Sequence, residues 1–147
     1  MNWLEALKAV HLLCAVVWVG GMFFAYLVLR PSITVLDPPQ RMLLHTQIFR
    51  RFFLVIWHAM PLIVLTGLAM LFGFMGGMEN ARWPVHAMLG LGLLMALLFV
   101  VVFFGPYRAF RRTTDRTRMA ASLDAIRKLI GVNLVLGLVT VVIAVLA

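Results

Sequence analysis

The chain is short of almost everything that soluble catalysis draws on. Only 12% of its 147 residues are charged, and five of them are acidic. None of those five, Glu5, Asp37, Glu79, Asp115 and Asp124, falls inside a long apolar run. That removes paired buried carboxylates for hydrolysis and the intramembrane acid on which proton-coupled transporters usually rely. One cysteine, Cys14, excludes an internal disulfide framework and a thiolate zinc cluster. No serine or cysteine is paired with a neighbouring base. A solvated basic tail is also missing, so the net charge of +8 does not imply a nucleic-acid partner; the cations sit in short loops beside apolar stretches.

What the chain does have is hydrophobic length. Apolar residues make up 64% of it and the mean hydropathy is +1.04, beyond what a soluble domain of this size shows. Four runs carry no formal charge: residues 9–29, 52–78, 83–107 and 129–147. At about 1.5 Å per residue each is long enough to cross a hydrocarbon core of about 30 Å. The expected fold is all-α: an integral-membrane four-helix bundle of up-down-up-down topology, one four-span domain set in a lipid bilayer. The first run reads as a retained helix and not a cleaved signal, because Lys8 follows Glu5 and no small-x-small cleavage site closes it. Pro38 and Pro39 suit a helix start well before the second run, Pro61 should kink that run, and Gly73, Gly76 and Gly77 should end it.

Orientation follows from the cations. Four of the 13 basic residues lie between the first and second runs, and seven between the third and fourth. The positive-inside rule makes those two loops cytoplasmic and both termini periplasmic.

The candidate site follows from depth. Helices one and three would both run inward, and His11 and His86 stand near the start of each, so two imidazoles share a depth on helices facing each other across a bundle. His11 shares a stripe at helical spacing with Ala15, Trp18, Met22, Ala25 and Leu29. Two such rings can grip a b-type haem as axial ligands. Lys8 and Arg82, each one turn nearer the surface, would pair with its propionates, while Ala15 and Gly90 leave clearance for the macrocycle. Such a protein would pass single electrons, taking them from a quinol or a membrane redox partner; if catalytic, it is a membrane oxidoreductase. The alternative is copper bound directly, with Cys14, Met22 and Met88 joining His11 as soft ligands. A third reading is a non-redox accessory subunit, and a homo-oligomer is compatible with all three. His58 is a second-site candidate that reads equally as a polar anchor beside Pro61. His45 reads as a solvated or interfacial residue, and Asn133 as an interhelical hydrogen-bond donor.

The residues Leu7, Lys8 and His11 with Trp18, Val19, Gly20 and Gly21, then Phe52 with Leu65, Thr66 and Gly67, then the segment from His86 to Met95, together resemble the CopD-type membrane domain. HemJ-like proteins belong to the same superfamily. The CopD resemblance implies copper uptake or resistance in the bacterial inner membrane. The HemJ resemblance implies haem held through the first-span histidine and protoporphyrinogen oxidation, although Met88 stands where those proteins carry a lysine.

Overall fold

The computed structural model describes residues 1–147 and is helical throughout, with no strand. Four helical rods are long and apolar enough to span a membrane: α1 (Trp3–Val35), α2 (Pro38–Phe74), α3 (Trp83–Arg112) and α4 (Arg116–Ala144). Each extends past its charge-free run on the side facing the 36–37 or 113–115 connection, where the flanking charged residues continue the helix, while α2 and α4 stop short of the other end of theirs, at Phe74 and Ala144. What ends the rods is local chemistry. Asn2 and Glu5 form a reciprocal capping box on α1, with Asn2 Oδ1 accepting from the Glu5 N–H at 2.9 Å and Glu5 Oε2 accepting from the Asn2 N–H at 3.0 Å. Asp115 Oδ1 caps α4 by accepting from the Thr117 N–H at 3.0 Å. Pro38 opens α2 where its missing N–H is no loss, and the rod runs through Pro61 unbroken to Phe74. Gly76 and Gly77 then take φ of 79° and 85°, a region side chains avoid, and turn the chain toward α3.

Three stretches depart from the α repeat, one of them the 3-10 turn Ile33–Val35 that closes α1. Residues Phe24–Leu29 of α1 and Phe103–Tyr107 of α3 are π-helical, the second of them carrying Pro106. Both lie in the half of the bundle near the 36–37 and 113–115 connections, called here the basic end. The opposite end, with both termini and the 75–82 turn, is the terminal end.

α1 packs most extensively on α2, and α3 on α4, with lesser contacts between α1 and α4 and between α2 and α3. Glycines mark the closest approaches. A Cβ on Gly21 of α1 would stand 3.2 Å from the Phe52 ring, one on Gly137 of α4 would stand 3.0 Å from Val19, and one on Gly131 would stand 2.8 Å from the Tyr26 ring. Toward the basic end the core is aromatic: the rings of Phe49, Phe53, Trp57, Phe99, Phe103 and Tyr107 meet edge-on or tilted at centroid separations from 4.3 to 6.3 Å.

Candidate functional site

The inward stripe of α1 is close to the expected one. Cys14, Trp18 and Met22 are buried, with His11 and Ala15 half-buried beside them. The facing stripe of α2 buries Phe53, Ile56, Met60, Thr66 and Met70.

His11 meets α2 at Thr66 and Gly67. Its Nδ1 lies 3.0 Å from Thr66 Oγ1. The Thr66 hydroxyl has one proton, and Oγ1 stands 2.7 Å from the Leu62 carbonyl and 3.2 Å from that of Ile63, so the proton is directed back into its own helix. Oγ1 therefore accepts from His11 Nδ1–H, and in the neutral ring that leaves the lone pair on Nε2. A Cβ on Gly67 would come within 3.1 Å of His11 Cε1, so the ring fits where it does because residue 67 has no side chain. A neutral imidazole held at one nitrogen with the other free is what a metal ligand requires.

The remaining predicted residues fall into two groups. Val19 of α1 and Met95 of α3 meet on Gly137, whose Cβ would lie 3.0 Å from the first and 3.1 Å from the second, and this sets a common level. Counting from it at about 1.5 Å per residue puts His11 about 12 Å, His86 about 14 Å, Met88 about 11 Å and Cys14 about 8 Å toward the terminal end. Depth thus groups His11, Cys14, Met88 and His86. Lateral position divides them: Cys14 is buried and Met88 half-buried, whereas His86 is exposed, as are Lys8, Arg82 and Gly90. No hydrogen bond or ring contact joins His86 to His11. Met22 is 1% exposed, deeper in the same stripe.

No three histidine, cysteine or carboxylate side chains gather closely enough to hold an ion. His58 is exposed, with Nδ1 bonded at 2.8 Å to the Leu54 carbonyl of its own helix, the geometry of an anchor. Instead of lying in solvent, His45 is half-buried and stacked on Phe49 at 5.6 Å. Asn133 Nδ2 donates to the Met95 carbonyl at 3.1 Å, joining α4 to α3 as expected. Its Oδ1 is buried without a partner, and it lines a void of about 10 Å³ with Trp18 and Met22.

Thr66 is the site residue that residue-by-residue reading missed. The signal was present in two places, a hydroxyl in an otherwise apolar span and a glycine directly after it, but neither says which histidine they serve.

A family model described as copper resistance protein D matches residues 46–147, more than half of the chain. The chain belongs to the CopD family. With four apolar rods long enough to span, this CopD-family member is a multi-pass inner-membrane protein. The match takes in most of α2 and all of α3 and α4, including Thr66 and Gly67, while His11 lies before it. No curated protein and no solved structure gives a significant match.

Proposed function

We propose that this CopD-family protein handles copper in the membrane, taking Cu(I) as cargo at His11 from the periplasmic side. The observation that carries the reading is the His11 ring itself: Nδ1 is committed to Thr66, Nε2 is free, and the ring stands on the same buried stripe as the Cys14 thiol. Soft Cu(I) favours sulfur and imidazole over carboxylate, and sulfur is what this half of the bundle supplies. Cys14 and Met88 share the depth of His11, and Met22 continues the series toward the middle of the membrane. The chain's own work is to hold the imidazole neutral and oriented, exclude water, and present thioethers in sequence.

The up-down-up-down arrangement with both termini periplasmic is part of this proposal. It is supported by the clustered cations and by contacts that descend one helix as they ascend its neighbour: His11 with Gly67 and Gly21 with Phe52, Val19 with Gly137 and Tyr26 with Gly131. A C-terminal reporter fusion should score as periplasmic; a cytoplasmic score would reverse the entry side.

The second reading is b-type haem between His11 and His86, with Lys8 and Arg82 at the propionates and Ala15 and Gly90 giving clearance, passing electrons from a quinol or membrane partner. Their shared depth and the open space at Gly90 favour it. The fit is poorer, because His86 is exposed while His11 is turned onto α2, so a haem gripped by both would lie partly at the lipid-facing surface. Colour separates the two readings. Detergent-purified protein should be colourless and retain stoichiometric Cu(I) against a chromophoric chelator, and His11→Ala should release it. A Soret band lost in both His11→Ala and His86→Ala would replace copper with haem.

A further inference from the structure

At the basic end, away from His11, a cavity of about 80 Å³ opens between α1, α2 and α4. Four polar side chains line it: Tyr26 and Arg30 from α1, His45 from α2 and Arg127 from α4. No carboxylate lines it. Leu29 and Ile48 contribute apolar wall.

The polar groups hold donors that the protein does not use. Arg30 lies over the Tyr26 ring at 5.3 Å and makes no hydrogen bond or ion pair within the chain. The Tyr26 hydroxyl and the His45 ring nitrogens likewise have no internal partner. Arg127 gives one N–H to Asp124 at 2.7 Å, and a guanidinium has five. Asp124 is itself shared with Lys128 at 3.0 Å, so it neutralises only part of the charge around the cavity. Two features of the backbone create the space. The π-helical turn Phe24–Leu29 changes the register of α1 where Ala25, Tyr26 and Leu29 enter the lining. Gly131 then admits the Tyr26 ring, since a Cβ there would stand 2.8 Å from it. π turns occur disproportionately at functional sites.

We propose that this cavity binds a phosphate-bearing anion, and that its occupant is the headgroup of an anionic phospholipid. Guanidinium forks, a phenol and an imidazole are the donor set that phosphate oxygens take up. The apolar wall beside the cations matches an amphiphile better than a free ion, and basic pockets between helices at the cytoplasmic face are where acidic headgroups lodge. The cavity's donors do not depend on what His11 holds, and their placement at the cytoplasmic face rests on the orientation proposed above.

The experiment uses the full chain in mild detergent, delipidated and then titrated separately with short-chain phosphatidylglycerol, phosphatidylcholine and inorganic phosphate, with bound ligand read by native mass spectrometry. Phosphatidylglycerol should bind and phosphatidylcholine should not. Arg30→Gln should weaken binding about fivefold, the worth of one cation near an acidic headgroup. Arg30→Lys should restore much of it. Arg118→Gln, at a side chain 80% exposed and outside the cavity, should change nothing. Inorganic phosphate binding as tightly as the lipid would keep the phosphate site but overturn the lipid as its occupant. Equal uptake of both lipids, or equal losses for Arg30→Gln and Arg118→Gln, would overturn the site.

Discussion

The two halves of this bundle are held together by different chemistry. Around Phe53, toward the basic end, five aromatic rings stand within 5.9 Å, and the residue itself is 2% exposed. Around His11, toward the terminal end, the close neighbours are a hydroxyl and a glycine, and the buried residues one turn on are Cys14 on α1 and Met70 on α2. Aromatic rings fill space rigidly and offer nothing to a soft metal, whereas thioethers are flexible and polarisable and can serve as ligands. A substitution in the aromatic half should therefore register as lost stability, and one in the sulfur half as lost chemistry at nearly constant stability.

The largest expected effect is in the aromatic half. Phe53→Ala opens a void against five rings and should destabilise the folded bundle by about 3–5 kcal/mol, lowering the thermal aggregation midpoint in detergent. If the midpoint is unmoved, the aromatic cluster is not what holds that half together. Next comes Thr66→Val, which keeps the volume and removes the oxygen that accepts from His11. Loss of such a supporting contact costs about 10–100-fold in metal affinity, so Cu(I) retention should fall in that range while the aggregation midpoint moves far less than for Phe53→Ala. Equal effects on both readouts would erase the distinction between the halves.

Gly67→Ala should be milder than Thr66→Val, because the added Cβ meets the edge of a side chain that can give by a few tenths of an ångström. It should weaken copper retention by about tenfold or less through a displaced ring. A competition titration in which Gly67→Ala binds as tightly as wild type would show that the close approach at Gly67 does not position the ring for copper. Smallest of all is Asn133→Leu. It removes an interhelical bond to Met95 together with an unpartnered buried oxygen, and such bonds within membranes average about 0.6 kcal/mol. A shift of several kcal/mol would mean that the Asn133 oxygen has a partner in the small void it lines.

Much of the bundle was legible from composition. Charge-free length gave the four rods, Pro38 gave the start of α2, and of the three glycines expected to end it Gly76 and Gly77 do so while Gly73 stays inside the helix. The face that α1 turns inward was legible too, since Trp18 and Met22 lie on the predicted stripe and are buried. The surroundings of His86 were not legible in this way. α3 is apolar on every side, so its periodicity does not say which face meets protein and which meets lipid, and a histidine near its start reads the same in either case.

The sequence by itself determined that this chain carries four helices long and apolar enough to cross a membrane, and that histidine and sulfur are the ligand-bearing side chains its apolar runs offer, because hydropathy, helix length and residue inventory are properties of single segments. Only the tertiary structure decided that Thr66 and Gly67 hold His11, that His86 stands apart from it, and that Arg30, His45 and Arg127 converge on one cavity. Those are distances between segments, fixed by how the helices rotate and approach, and small residues such as Gly67, Gly131 and Gly137 set that approach through the side chains they lack.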